Sequence, residues 1–152
     1  MHRVVASWFG TGLILRRIRG NDLGSGTVGA LFAFPIAFLL GETLGWQWQI
    51  ALAGVVTAAA VWAARPFIST EGDAGWICAD EAAGVFVALI GLRLGPAVLA
   101  WIVFRLADIF KTYAPGVSTA EVRLSGAVGV TADDVVAGLY GLAAGHIAQA
   151  LI

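Results

Sequence analysis

Long stretches without a charged residue constrain this chain more than any other feature. Asp, Glu, Lys and Arg are absent from residues 23–41, 43–64, 82–92, 94–104 and 135–152. About 20 apolar residues in a helix are needed to cross the hydrocarbon core of a bilayer. Segments 23–41, 43–64 and 135–152 have roughly that length, whereas each of the other two has about half of it. The sequence therefore predicts an all-α, polytopic membrane protein.

The composition agrees with this class. The 152 residues are 59% hydrophobic and only 12% charged, whereas an ordinary soluble domain is about 25% charged. No linker, charge block or internal repeat divides the chain, so a single membrane domain over residues 1–152 is expected. The net charge of -1 provides no basic surface for nucleic acid. The N-terminal stretch lacks the long apolar run and cleavage site of a removable signal peptide, so none is expected.

The two short apolar segments are separated by Arg93. Residues 91–96 read GLRLGP, and these glycines and this proline are typical of a break in a helix. A single span over 82–104 is the alternative, but it would place Arg93 at the bilayer centre at a cost of about 2.5–3.5 kcal/mol. We therefore expect a short re-entrant or interfacial hairpin, and about five helices in all.

Basic residues predict the orientation in the membrane. Four arginines precede the first span, and the loop between the first two spans has no basic residue. The positive-inside rule then places the N-terminus and the polar segments 65–81 and 105–134 in the cytoplasm. Three short charged motifs lie in these segments and therefore at one face of the membrane: Asp80-Glu81, Arg105-x-x-Asp108-x-x-Lys111 and Asp133-Asp134.

Carboxylates close together are typical of a site for a divalent metal such as Mg²⁺, which prefers oxygen ligands. The two nearby cations, Arg105 and Lys111, are typical of side chains that bind a phosphate next to such a metal. Two histidines, His2 and His146, are present, and the latter lies in an apolar run where a packing role is expected. Cys78 lacks the arginine that a cysteine phosphatase carries six residues later. Metal-activated water is the remaining nucleophile for cleaving a phosphate ester.

Each motif also has a simpler explanation. Thr131 with the two acids that follow it resembles a capping box at a helix start, and Arg105 with Asp108 fits a surface pair. Thr27 follows two nearby glycines. This stretch either forms a helix N-terminus that binds phosphate, or its small residues serve only to pack one helix against another. Gly141-x-x-x-Gly145 is typical of packing between membrane helices.

In order along the chain, these motifs resemble those of the phosphatidylglycerophosphatase A family. Family members read roughly Phe-Gly-Ser-Gly, Pro-Gly-Thr-x-Gly-Ser, Trp-Asp-Glu, Phe-Arg-x-x-Asp-x-x-Lys and Gly-x-Met-x-Asp-Asp-x-x-Ala-Gly. This chain carries the corresponding residues Phe9-Gly10-Thr11-Gly12, Gly26-Thr27-Val28-Gly29, Asp80-Glu81, Phe104-Arg105 with Asp108 and Lys111, and Gly129 with Asp133-Asp134 and Ala137-Gly138. Ser25, Ala30, Ala79 and Thr131 depart from the pattern, but its charged residues are kept.

The resemblance implies a Mg²⁺-dependent enzyme of the bacterial cytoplasmic membrane that hydrolyses phosphatidylglycerophosphate to phosphatidylglycerol and phosphate at the cytoplasmic face. Its catalytic and Mg²⁺-binding residues would be Asp80, Glu81, Asp108, Asp133 and Asp134, and its substrate phosphate would contact Arg105, Lys111 and Thr27. A transporter or channel subunit that uses the carboxylates for cation passage is an alternative, as is a lipid-binding pseudoenzyme. An inserted stretch with Arg16, Arg17 and Arg19 either attracts anionic headgroups or only sets topology.

Overall fold

The computed structural model describes residues 1–72 and 74–152, and this part of the chain is all-α, without a β-strand. The described residues form eight α-helices and one 3-10 helix, Thr11–Leu13. The α-helices are α1 (His2–Ala6), α2 (Ile14–Arg19), α3 (Ser25–Thr43), α4 (Trp46–Glu71), α5 (Ala79–Ala88), α6 (Leu94–Ile109), α7 (Val117–Arg123) and α8 (Ala127–Leu151). The expected count of about five is wrong, because α1, α2 and α7 are too short to contain a long apolar run.

In the part of the chain that the structure describes, three helices, α3, α4 and α8, are long and apolar enough to cross a membrane. They contain most of the three longest charge-free segments, but each of them extends past a charged residue. Helix α3 ends at Thr43, one residue after Glu42. Helix α4 continues through Arg65 and Pro66 to Glu71, and α8 begins at Ala127, ahead of Asp133 and Asp134. Charged residues therefore did not mark the helix ends, since a charge at the end of a bundle or paired inside it is compatible with a helix.

Helix α8 is the central helix of the bundle, and it packs against α4, α5, α6 and α7. Half of its most apolar stretch is buried, against 28% for α3 and 22% for α4. Glycines allow this close approach: a Cβ atom at Gly141 would lie 2.4 Å from the Ala100 carbonyl oxygen, and one at Gly145 would lie 2.3 Å from Leu92 Cδ1. The packing role expected for this glycine pair is confirmed.

Gly141→Ala is expected to lower the thermal stability of the protein. The added methyl group would meet the backbone of α6, which cannot move aside as a side chain can, and overpacking of this kind costs about 1–3 kcal/mol. Gly54→Ala is the matched control, because a Cβ atom at Gly54 in α4 meets nothing within 4 Å. Thermal unfolding of both variants in detergent tests this, and equal midpoints would contradict the packing role.

The α5–α6 connection consists of residues 89–93, slightly before the expected break. Gly91 has φ +71°, a conformation that favours glycine. Pro96 is not part of the break but lies in the first turn of α6, where its missing N–H loses no helical hydrogen bond. Two short helices thus replace one long span over this segment.

A re-entrant hairpin is not supported, because α5 and α6 pack mainly on α8 rather than on each other. Gln49 also joins their connection to the α3–α4 loop. Its Nε2 donates to the Gly41 and Leu44 carbonyls, both at 2.9 Å, and its Oε1 accepts from the Gly91 N–H at 2.7 Å. The connection therefore reaches the same end of the bundle as the α3–α4 loop.

Two side chains of α8 satisfy the backbone of this connection, as an apolar environment requires. Gln149 Oε1 accepts from the Arg93 N–H at 2.7 Å, and its Nε2 donates to the Gly91 carbonyl at 3.0 Å. His146 Nε2 lies 3.0 Å from the Ile90 carbonyl oxygen. His146 is exposed on the bundle rather than packed inside it, so the expected core position is wrong.

Candidate active site

The predicted site residues meet at the opposite end of the bundle from Gln49 and Gln149. They come from the first turns of α3 and α5, the last turns of α6, the residues just after α6, and the second turn of α8. In that order they are Thr27, then Asp80 and Glu81, then Arg105 and Asp108, then Lys111, and finally Asp133 and Asp134.

Arg105 connects α6 to the start of α3. Its Nη1 lies 2.6 Å from Asp108 Oδ2, and its Nη2 donates a hydrogen bond of 3.2 Å to Thr27 Oγ1. The side chains of Arg105 and Asp108 are only 9% and 17% exposed. The predicted i,i+3 pair is therefore present, but it is buried and not a surface pair.

Lys111 lies between two carboxylates, from α7 and α8. Its Nζ donates to Glu121 Oε2 at 2.5 Å and to Asp133 Oδ2 at 3.1 Å. Burial lowers the pKa of Lys111, but the hydrogen bonds to Glu121 and Asp133 outweigh burial and raise the pKa above its ordinary value. Lys111 is therefore a fixed positive charge. Glu121 was not predicted, because one acid in a short polar helix gives no signal in the sequence.

Asp133 and Asp134 lie inside α8 rather than at its start. The helix begins after Gly126, whose φ is +70°, so Thr131 is not the N-cap and the capping explanation is wrong. Both acids are buried, with exposed fractions of 3% and 5%. Asp133 Oδ1 accepts a hydrogen bond of 2.9 Å from the Asp134 N–H.

The acids of α5 and α8 form the centre of the cluster. Burial, followed by the carboxylates of Asp80 and Asp134, raises the pKa of Glu81 well above its ordinary value, although Arg105 acts in the opposite direction. The Asp134 carboxylate interacts electrostatically with Asp80, Asp108 and Arg105. The structure thus brings all five predicted acids into one cluster with Arg105 and Lys111.

A cleft of about 600 Å³ opens onto one side of this cluster. Among the predicted site residues, Thr27, Glu81 and Arg105 line it, whereas Lys111 does not; the full lining is Asp22, Leu23, Gly24, Gly26, Thr27, Gly75, Glu81, Arg105 and Ile109. The absence of a side chain at Gly26 leaves room for the Glu81 carboxylate in its present position, because a Cβ atom there would overlap Glu81 Oε1 and the carboxylate would have to move.

The acids could hold a metal through oxygen atoms. In residues 1–72 and 74–152, no group of three His, Cys, Asp or Glu side chains is already arranged as a metal site. However, Glu81 Oε2 and Asp134 Oδ1 are buried and have no hydrogen-bond partner among the described residues. Buried carboxylates that repel one another require protons or a cation, and oxygen donors suit Mg²⁺. The carboxylate groups of Asp80, Glu81 and Asp134 therefore have the oxygen donors and the negative charge that suit a Mg²⁺ ion.

Fold and site together define a helical protein, with three segments suited to cross a membrane and a buried cluster of acids and cations at one end. The chain belongs to the phosphatidylglycerophosphatase A family, whose model matches residues 4–149. A Bacteroides thetaiotaomicron protein named "Putative phosphatidylinositol-3-phosphatase" is 32% identical over 147 residues, which cover 90% of this chain and 86% of that protein. No solved structure matches the chain. The family predicted from the motifs is confirmed, and it supports a phosphatase that acts on lipid phosphates.

Proposed function

We propose that this protein hydrolyses the phosphate monoester of phosphatidylglycerophosphate, giving phosphatidylglycerol and inorganic phosphate. The observation that carries the proposal is the cleft in which Arg105 and Thr27 lie beside Glu81, with the other acids of the cluster directly behind. A phosphate monoester needs positive and hydrogen-bonding groups for its oxygens and acidic groups for metal and water. Family membership supports the same reaction.

Arg105 and Thr27 are the residues placed to bind the phosphoryl oxygens. Asp108 and Thr27 hold the guanidinium group through Nη1 and Nη2, and Arg105 Nε is buried without a hydrogen-bond partner among the described residues. An arginine fixed in this way binds an oxyanion with little loss of side-chain entropy. Lys111 acts behind the cleft, where it fixes Asp133.

In the reaction, a water oxygen bonds to phosphorus, the bond between phosphorus and the glycerol oxygen breaks, and that oxygen takes a proton. Glu81 and Asp134 have unpartnered oxygens that can orient the water. Mg²⁺, when bound by Asp80, Glu81 and Asp134, would neutralise charge on the phosphoryl group and activate water. Asp108 positions the Arg105 guanidinium group, and Asp133 positions the Lys111 ammonium group, each through an ion pair.

A lipid with a phosphate on an inositol ring is a second candidate substrate. The relative's name refers to phosphatidylinositol-3-phosphatase, and the bond broken there is also a phosphate monoester of a lipid headgroup. The contacts proposed for Arg105 and Thr27 are to phosphoryl oxygens, which both lipids present. Headgroup selection would depend on the remaining cleft lining.

Phosphate release by the purified protein tests both the reaction and the substrate. The assay compares phosphatidylglycerophosphate, phosphatidylinositol 3-phosphate and phosphatidic acid in mixed micelles, with Mg²⁺ and with a chelator. We expect the fastest release from phosphatidylglycerophosphate, loss of release with the chelator, and recovery on adding Mg²⁺. Absence of release from all three lipids would contradict the proposed function, and release unaffected by the chelator would contradict the metal.

We propose further that the acid cluster faces the cytoplasm at a bacterial cytoplasmic membrane. The arginines of the N-terminal segment lie on the chain before α3, whereas the α3–α4 loop at the opposite end has no basic residue and follows the acidic Glu42 in the last turn of α3. Trp46 and Trp48 begin α4 at that opposite end and are 58% and 69% exposed, as is typical of aromatic residues at a membrane interface. A conduit would need ionisable groups at several depths, whereas here the acid cluster lies at one end, and Glu42 and Arg93 are charged residues at the other end.

Single cysteines introduced at Thr70 and Thr112 are expected to react from the cytoplasmic side only. Both residues are exposed, and Thr70 lies in the last turn of α4 while Thr112 follows α6 next to Lys111. A cysteine at Glu42, in the same Cys78→Ser background, is expected to react from the opposite side only. A membrane-impermeant maleimide applied to intact cells and to inverted vesicles measures this. Opposite labelling of positions 70 and 112 would contradict the arrangement.

A further inference from the structure

A second cleft, of about 420 Å³, lies in the N-terminal segment formed by α1, the 3-10 helix and α2. We call this segment, residues 1–19, the N-terminal arm. The cleft is lined by Arg3, Gly10, Leu13, Ile14, Arg16 and Arg17, so that three of the six lining residues are arginines and none is acidic. It shares no lining residue with the cleft of the acid cluster.

The positive charge of this cleft is poorly compensated within the protein. Arg16 Nε lies 3.8 Å from Asp22 Oδ1, a distance that indicates a weak ion pair. Among residues 1–72 and 74–152, no acidic side chain forms an ion pair with Arg3 or Arg17. Arg3 is instead held with its guanidinium carbon 5.3 Å from the Trp76 ring centre. Three arginines around one cavity are an environment for an anion, and above all for phosphate oxygens.

Apolar groups accompany these arginines. Leu13 and Ile14 line the cleft, while Phe9 and Ile18 on the same arm are 68% and 73% exposed. Exposed apolar side chains next to basic ones are typical of segments that lie at the membrane surface. Free phosphate would leave these groups in water, whereas a phospholipid has both an anionic headgroup and an apolar portion.

The arm is attached at the end of the bundle that carries the acid cluster. The Cys78 N–H donates a hydrogen bond of 2.8 Å to the Ala6 carbonyl, and Cys78 directly precedes α5. Because α3, α4 and α8 are suited to cross the membrane, an arm at the end of the bundle lies at the membrane surface, where phospholipid headgroups are. We propose that the arginine cleft of the N-terminal arm binds the headgroup of an anionic membrane phospholipid as a ligand that is not hydrolysed. This site is separate from the proposed phosphatase site and does not depend on its activity.

Native mass spectrometry of the delipidated full chain in neutral detergent tests this inference. The protein is mixed with equal amounts of dioleoylphosphatidylglycerol or dioleoylphosphatidylcholine, and the bound fraction is measured. Since a basic residue near an anionic lipid contributes about 1 kcal/mol, we expect Arg17→Gln to weaken phosphatidylglycerol binding about fivefold and Arg17→Lys to weaken it less. Phosphatidylcholine binding is expected to be unchanged in both variants.

Arg19→Gln is the matched control, because Arg19 lies in the same helix and carries the same charge but does not line the cleft. It is expected to bind phosphatidylglycerol like the wild type. An equal loss in Arg19→Gln and Arg17→Gln would overturn the proposal in favour of general charge attraction. Unchanged binding in Arg17→Gln would also overturn it. Arg16→Gln, at the same cleft, replaces Arg17→Gln if that variant does not elute as a folded protein.

Excess inorganic phosphate distinguishes a lipid site from a site for the free ion. We expect it to displace little phosphatidylglycerol from the wild type, because it makes no contact with Leu13, Ile14 or the exposed apolar residues. Displacement to the level of Arg17→Gln would overturn the assignment to a lipid. None of these measurements uses phosphatase activity, so failure of the proposed reaction and failure of this proposal are separate results.

Discussion

Asp134→Asn is expected to lower the rate of phosphate release by about 100-fold or more while the protein still folds. Asn keeps the volume of the side chain but removes the charge, and Asp134 lies among Asp80, Asp108 and Arg105 at the centre of the cluster. Its Oδ1 has no hydrogen-bond partner in the described part of the chain, so no structural contact at this oxygen is lost. A metal ligand would therefore lose function without losing stability.

Phosphate release from phosphatidylglycerophosphate, measured at several Mg²⁺ concentrations, checks this expectation. If the loss is one of metal affinity, raised Mg²⁺ partly restores the rate of Asp134→Asn. Glu42→Gln is the control, since it removes a negative charge from an exposed residue at the other end of the bundle. Rates near the wild type in Asp134→Asn would remove this residue from the proposed site.

Arg105→Lys is expected to lower phosphate release by about 100- to 1,000-fold, although the charge is kept. Arg105 contacts Asp108 through Nη1 and Thr27 through Nη2 at the same time. A lysine has one ammonium group on a flexible chain and cannot hold these partners and the substrate phosphate in one plane. Because charge is conserved, Asp108 is not left unpaired inside the bundle.

The kinetic constants and the thermal unfolding of Arg105→Lys are measured together. We expect a large decrease in kcat/KM with a small change in the unfolding midpoint. Arg65→Lys serves as the control, because Arg65 is exposed on α4 and lines neither of the two clefts. A purely structural role for Arg105 would show the reverse pattern, with a lower midpoint and nearly unchanged kinetics.

Much of the site could be predicted because its residues follow short-range rules. Arg105 and Asp108 are three apart in an apolar segment, so a helix places them on one side, where they pair. Asp80 and Glu81 precede the short apolar segment that becomes α5, and the two acids therefore begin that helix at the end of the bundle. The positive-inside rule then placed these residues at the same face of the membrane as Asp133 and Asp134, and the order of the family motifs along the chain agreed.

Other features depend on contacts that no local pattern contains. Thr131 resembled an N-cap because two acids follow it closely, but α8 begins at Ala127, and Asp133 lies inside this helix with Lys111 as its partner. The residues around Glu121 show no apolar periodicity that would predict a packed helix. Its ion pair with Lys111 depends on where α7 packs. Gln49 reaches the connection between α5 and α6 across 42 positions of sequence, and only the packed bundle places them together.

The central position of α8 also determines when the acid cluster can form during synthesis. Of the described helices, α8 comes last from the ribosome, and α5 and α6 pack mainly on it. Before α8 is synthesised, α3 and α4 can insert as a pair. Helices α5 and α6, which carry Asp80 and Arg105, then still lack α8 as their main packing partner. The acid cluster is therefore assembled only after α8 has been inserted, and a nascent chain that stalls before α8 carries no assembled site.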